Sequence, residues 1–145
     1  MEFSSGMRMS AIEGLSHMTF IVRDLDRMED LLTTILGAQK MYDSGSETFS
    51  LSKERFFLVG GLWVATMEGE ALPTRTYNHI AFKIDDADYE NCLTRIRSLG
   101  LELKEGRSRV DGEGRSIYFY DHDNHMFELH TGTLEQRLAR YSQGQ

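Results

Sequence analysis

Residues 15–38, "LSHMTFIVRDLDRMEDLLTTILGA", lie over residues 77–101, "YNHIAFKIDDADYENCLTRIRSLGL", with His17 on His79 at an offset of 62. One extra residue in the second segment moves Gly37 onto Gly100. The later matches keep that register, with Phe56 on Phe119, Ala65 on Glu128 and Gly69 on Gly132. Chance matches between short segments do not hold register over such a span, so the chain is an internal duplication. Each copy opens with an apolar strand, then an Asp-rich start to a helical pattern: Met28, Leu31, Leu32 and Ile35 in the first, Tyr89, Cys92, Leu93 and Ile96 in the second. Gly37 and Gly100 are placed to end these helices as left-handed caps. Further strands are expected near 39–42, 48–58 and 62–68, and near 101–104, 114–120 and 125–130, separated by Gly, Asp and Ser turns. The fold class is therefore α+β, a βαβββ unit repeated in tandem.

The bounds follow from that pattern. Module 1 covers 14–70 and module 2 covers 76–132, within a single domain over 14–141 whose last short helix, 133–141, opens on the capping box "TLEQ". The tail after Tyr141 is expected to fray. Residues 1–13, with no apolar stretch of the signal-peptide kind, are expected to be a flexible extension. The chain has 145 residues, which suits one domain. No run approaches the ~20 apolar residues of a membrane span, so no membrane association is expected. A net charge of −7 argues against nucleic acid, because phosphate binding needs a basic face. An anionic substrate would have to meet a local cluster of Arg. The lone Cys92 can form no internal disulfide and suits a cytoplasmic protein.

Glu128 sets the chemical question. It sits in the apolar run "MFEL", and carboxylates avoid buried strands unless they are paired or bind a metal. Side chains alternate along a strand, so parity sorts the faces. His17 goes with Thr19, His79 with Tyr77, Glu128 with Met126 and His130, Glu54 with Phe56, and Ser116 with Tyr118. Ala65 takes in module 1 the place of Glu128, on the face of Trp63. If the copies curve about a pseudo-twofold axis, His17, His79, Glu128 and Ala65 line a common cavity, which gives three ligands and one position without a donor. Two imidazoles and a carboxylate with open positions describe a catalytic metal site rather than a structural one. A lone strand histidine is more often a hydrogen-bonded core residue, and it is the register across the duplication that favours the metal. His122, in the "DHDNH" turn, is expected to be solvated. His125 and His130 are not placed among the ligands.

The strings "GLSHMTFIV", "LWVATMEGE", "TYNHIAFKI" and "EGRSIYFYDHDNHMFELHTGTLEQRL" resemble the vicinal oxygen chelate superfamily and, within it, the fosfomycin resistance proteins, most of all their water-using branch. The likeness runs from Gly14 to about Tyr141. It implies a Mn²⁺ enzyme with His17, His79 and Glu128 as ligands, although a His₂Glu set also accepts Fe²⁺, Co²⁺, Ni²⁺ or Zn²⁺. It implies a module-swapped homodimer, with His17 from one subunit and His79 and Glu128 from its partner. The reaction implied is hydrolysis of the fosfomycin epoxide to a vicinal diol, with Glu54 in "LSKERFF" as general base. The phosphonate would be held by Arg137, Ser116, Tyr118, Thr19 and Tyr77, with Arg109 or Arg115 as a second cation and Trp63 walling the pocket near the oxirane methyl. Read without the resemblance, Glu54 between Lys53 and Arg55 is a solvated charge, the loop "KEGRSRVDGEGR" a solvated turn, and Trp63 a core residue. Three rival functions use the same scaffold. A thiol transferase is disfavoured by Glu54. A glyoxalase-like isomerase or ring-cleaving dioxygenase is disfavoured by Ala65 and by the phosphonate-binding strings, and a drug-sequestering protein by the metal triad.

Overall fold

The computed structural model describes residues 10–48, 50–104 and 112–143, so most of the expected N-terminal extension and Arg109 lie outside the described residues. Module 1 runs β1 (His17–Val22), α1 (Leu25–Leu36), β2 (Gln39–Asp43), β3 (Glu54–Val59) and β4 (Leu62–Glu68). Module 2 runs β5 (His79–Lys83), a 3-10 turn (Asp86–Asp88) into α2 (Tyr89–Ser98), β6 (Leu103–Lys104), β7 (Ser116–Tyr120) and β8 (Met126–His130), followed by α3 (Leu134–Gln143). The sheets have orders β1-β4-β3-β2 and β5-β8-β7-β6. The first strand of each pairs parallel with the last, and the other pairings are antiparallel. β1 and β5 are consequently sheet edges, each with one row of backbone groups that its own sheet does not pair.

Local sequence explains the helices. Asp24 caps α1 by accepting from the Arg27 N–H at 3.0 Å. Gly37, at φ 62°, closes the helix with its N–H on the Leu32 carbonyl, a conformation that costs a β-carbon-bearing residue about 1–2 kcal/mol. In between, Leu25, Met28, Leu31, Leu32 and Ile35 are all buried, whereas α2 fully buries only Cys92 and Ile96. The capping box of α3 forms in both directions: the Thr133 N–H donates to Gln136 Oε1 at 2.9 Å, and the Gln136 N–H to Thr133 Oγ1 at 3.1 Å. This helix continues to Gln143 instead of ending at Tyr141, because neither Ser142 nor Gln143 interrupts it.

One core serves both modules. Val22, Leu31, Leu32, Phe57 and Val64 pack in the same cluster as Phe82, Ile96, Phe119, Phe127 and Leu129. Phe20 crosses from module 1 to lie 5.1 Å from the Phe127 ring. A polar clasp adds to this contact. The Arg23 backbone N–H and Nε donate to Asp123 Oδ1 at 3.1 and 2.9 Å, and its guanidinium also donates to the His122 carbonyl. Asp123 is 2% exposed. The turn that presents it is organised by Asp121, whose carboxylate accepts from the Asp123 and His125 N–H groups and from His125 Nδ1 at 2.7 Å. His122 is half-buried here rather than solvated, and burial, with Arg27 nearby, holds its imidazole below the usual range.

The ladders refine the duplication. His17 pairs with Trp63 and Thr19 with Ala65, as His79 pairs with Met126 and Ala81 with Glu128. Phe56, however, pairs with Ala65, while Glu128 pairs with Tyr118 and not Phe119. The true counterpart of Phe56 is Tyr118. The added residue lies between β7 and β8, where module 1 instead turns through Gly60 and Gly61, both at positive φ. A one-residue slip exchanges the faces of a strand, so the correction is chemical: Glu54, opposite Met67, corresponds to Ser116, opposite His130.

Candidate metal centre

The core occupies one face of each sheet and leaves the other open. Paired residues share a face, so the open face of module 2 carries, row by row, His79, Met126 and Tyr120; Ala81, Glu128, Tyr118 and Lys104; and Lys83, His130 and Ser116. That of module 1 carries His17, Trp63 and Leu58; Thr19, Ala65, Phe56 and Tyr42; and Ile21, Met67 and Glu54.

In module 2 two of the three expected ligands, His79 and Glu128, meet. His79 Nδ1 lies 2.7 Å from the Tyr77 carbonyl, and because a carbonyl only accepts, Nδ1 carries the hydrogen and leaves the neutral ring's lone pair on Nε2. That atom faces Glu128 Oε1 at 2.9 Å. Two acceptors at this distance repel unless a proton on Nε2 or a metal cation satisfies both. A backbone carbonyl that fixes the tautomer is also the usual outer partner of a metal-bound imidazole, so these residues fit a divalent cation. Glu128 is 6% exposed, and its second oxygen is taken: Oε2 lies 2.6 Å from Ser116 Oγ, which in turn lies 2.7 Å from His130 Nδ1.

Around this pair stand the aromatic residues expected at the site. The Tyr118 ring meets His79 edge-on at 5.7 Å, and its hydroxyl is 3.5 Å from that of Tyr77. Burial, then the Tyr77 contact and the Glu128 charge, push the Tyr118 phenol far above its usual range, so it remains a hydrogen-bond donor. The arginines are arranged differently from expectation. Arg115 turns to the opposite face, pairing with Asp86 at 2.9 Å and lying 3.9 Å over Tyr89. Strand alternation, placing Ser116 on the open face, sends its neighbour away. Arg137 Nε is 3.1 Å from the buried Glu113 carboxylate.

Module 1 supplies the remaining residues. His17 stacks on Trp63 at 4.1 Å and 28°, with Nδ1 2.9 Å from Ser16 Oγ. Trp63 is partly exposed on the open face, not a core residue, and Thr19 is exposed in the next row. Glu54 is 9% exposed. Its backbone is fixed by Ser44, which receives the Glu54 N–H on Oγ at 3.0 Å and donates its own N–H to the Glu54 carbonyl. Arg55 points the other way, to Asp26, Glu29 and Asp43, and among the described residues none donates to the Glu54 carboxylate. This is not the environment of a solvated surface charge.

Among the described residues, no three His, Cys, Asp or Glu side chains within one chain come together to hold a metal. His79 and Glu128 meet, whereas His17 belongs to the other sheet. The common cavity expected from a pseudo-twofold arrangement is thus not formed inside one chain, because the modules share a core through their helix-side faces and both open faces lie outside it. Parity did place His130 beside Glu128. What it did not reveal is that cross-strand pairing with Ser116 puts the imidazole behind the carboxylate.

Comparison with known proteins places this arrangement in context. Residues 14–129 match the model of the Glyoxalase/Bleomycin resistance protein/Dioxygenase superfamily. The chain is 63% identical over 133 residues to the fosfomycin resistance protein FosX of Mesorhizobium japonicum, covering 92% of this chain and 96% of the relative. A variant of FosX from Listeria monocytogenes, solved with Mn(II) and 1S,2S-dihydroxypropylphosphonic acid, is 56% identical, with a TM-score of 0.82 over 90% of this chain and 98% of that one. More distant is the metallothiol transferase FosB of Staphylococcus saprophyticus, 34% identical over 91% of this chain and 85% of the relative. No helix among the described residues is long and apolar enough to cross a membrane.

Proposed function

Because the chain belongs to the Glyoxalase/Bleomycin resistance protein/Dioxygenase superfamily and, within it, to the FosX fosfomycin resistance proteins, we propose that it is a Mn²⁺-dependent epoxide hydrolase that inactivates fosfomycin by adding water. The observation that carries this reading is the molecule bound to the Listeria relative. A propylphosphonic acid with hydroxyls on adjacent carbons is what water leaves on opening the oxirane, whereas a thiol would leave a thioether. Glu54, buried and, among the described residues, without a donor to its carboxylate, supports the same choice, since water needs a base as it attacks.

His79 and Glu128, with His17 of the partner subunit, would hold the cation. When bound, Mn²⁺ supplies Lewis acidity at the oxirane oxygen and a template for the phosphonate. The protein does the rest. Glu54 accepts the proton that the attacking water loses, a contribution of about 10²–10⁴ in rate. Tyr118, protonated across the working range, donates toward the phosphonate, joined by Tyr77 and Thr19, whereas the Ser116 hydroxyl, expected there as well, directs its hydrogen to Glu128 Oε2. Arg137 supplies positive charge once Glu113 yields it, with Arg109 as the second cation. Trp63, stacked beside His17, gives the oxirane methyl an apolar wall.

A homodimer completes this centre. Support comes from the separation of His17 from its fellow ligands and from the open edges of β1 and β5, which a second copy would cover. The buried free thiol of Cys92 suits a cytoplasmic enzyme. Incubation with Mn²⁺ and fosfomycin, with and without glutathione, followed by phosphorus NMR, tests the reaction. The diol phosphonate is expected without thiol, and a product that forms only when glutathione is present would make the protein a thiol transferase.

A further inference from the structure

We propose that His130 is a positioning residue for the metal centre, acting through Ser116 to hold Glu128 as a ligand with one oxygen free. The inference rests on the reading of Glu128 as a metal ligand. As a carboxylate, Glu128 can only accept, so the 2.6 Å contact to its Oε2 requires the Ser116 hydroxyl to donate its single hydrogen there. Ser116 Oγ is then an acceptor toward His130, and the 2.7 Å contact requires the hydrogen of the imidazole to sit on Nδ1. The chain of donation runs one way, from His130 Nδ1–H to Ser116 Oγ, and from the Ser116 hydroxyl to Glu128 Oε2. The direct His130 Nδ1 to Glu128 Oε2 separation is 3.5 Å, too long for a good hydrogen bond, so Ser116 is the link.

The consequence lies in the other oxygen. With Oε2 engaged, Oε1 remains, and it is Oε1 that faces His79 Nε2 at 2.9 Å. Both ligands of module 2 are thereby oriented from behind, His79 by the Tyr77 carbonyl and Glu128 by Ser116 and His130. A one-oxygen Glu128 leaves coordination positions for water and substrate. Module 1 has no such relay, since Glu54, Met67 and Ala65 stand in the places of Ser116, His130 and Glu128.

Manganese affinity tests this without reference to turnover, by following free Mn²⁺ with electron paramagnetic resonance in titrations of the whole protein. His130→Phe keeps a ring and removes the donor, and should weaken binding about 10–100-fold, the usual effect of losing an outer partner. His130→Asn places an amide N–H near the position of Nδ1 and should restore affinity to within a few-fold of wild type. Ser116→Ala should weaken binding as much as His130→Phe, and the double variant no more than either alone, because one link is broken in each case. Unchanged affinity in His130→Phe, a loss in His130→Asn equal to that in His130→Phe, or additive losses in the double variant would overturn the relay. Glu128→Gln distinguishes the two levels: if it binds Mn²⁺ as tightly as wild type, the ligand assignment fails and the relay with it. If it loses binding while His130→Phe does not, the relay alone is wrong.

Discussion

The open face of module 2 presents Tyr118, Glu128, Ser116 and His130 on the same ladder positions where the open face of module 1 presents Phe56, Ala65, Glu54 and Met67. Their backbones repeat to the residue along β1 and β5, β3 and β7, and β4 and β8, while their chemistry diverges. Module 2 has a connected polar network that orients a carboxylate and an imidazole toward each other. Module 1 has a histidine on a tryptophan and a carboxylate to which no described group donates. Duplication preserved hydrogen-bond register, which the sheet enforces, and left the outward side chains free to specialise. Neither face alone makes a complete centre.

That asymmetry can be attacked directly. The largest effect is expected from Glu128→Ala or His79→Ala, which remove a proposed ligand from the organised face. A Lewis acid worth several kcal/mol corresponds to on the order of 10³ or more in kcat/KM, so thiol-free fosfomycin turnover should fall toward background. Residual turnover near wild type at saturating Mn²⁺ would show that module 2 is not the metal-bearing half. Next comes Glu54→Gln on the sparse face, which keeps size and removes the base. Here kcat should drop about 10²–10⁴-fold, with Mn²⁺ affinity within a few-fold of wild type. If kcat were retained in thiol-free buffer, Glu54 would be an ordinary buried carboxylate and module 1 would contribute no base.

Smaller effects concern how the two modules are joined. Arg23→Ala leaves Asp123, buried at 2% exposure, without its cation, and should cost about 1–3 kcal/mol in urea denaturation at fixed protein concentration. An unchanged midpoint would mean that the apolar contacts alone hold the modules. The smallest concerns His122, whose carbonyl takes part in the same clasp. Its folded pKa lies below the ordinary value of 6.5, so the folded chain binds the proton less readily than the unfolded one. Its contribution to stability is therefore full above pH 6.5 and is lost as pH falls through the depressed folded value. His122→Gln should flatten the stability profile below pH 6.5, and an identical acid slope in the two proteins would count against the assignment.

Much of this was readable from the chain because its signals are local or periodic. The paired βαβββ pattern, the Asp-rich helix starts, the Thr133 cap, the Gly37 terminus and the shared faces of His17 with Thr19 and Glu128 with His130 all follow from local sequence. Two kinds of information were not. Keeping the offset that Gly37 and Gly100 set puts Phe56 on Phe119, but the five-residue turn 121–125 shifts β7 by one position, and only the ladder places Tyr118 there. Nor does spacing say which faces of the modules meet. That is decided by the combined burial of Phe57, Phe82, Phe119 and Phe127, and it is what separates His17 from His79 and Glu128 within one chain. The position of Arg115 was legible in principle, since alternation opposes it to Ser116. The Ser116–His130 relay was not, because it depends on pairing across strands.

In the proposed arrangement a working centre joins module 1 of one copy to module 2 of another, and subunit exchange between two inactive proteins puts that to the test. His17→Ala and Glu128→Ala each destroy both sites of a homodimer. A mixed dimer would carry one site with both defects and one with neither, since His17 from the Glu128→Ala chain meets His79 and Glu128 from the His17→Ala chain. With statistical exchange, half the dimers are mixed and half of their sites are intact, so mixing should restore about a quarter of wild-type turnover. No recovery in a mixture shown by native mass spectrometry to contain the mixed dimer would mean that each centre is built within one chain, and the account would be wrong.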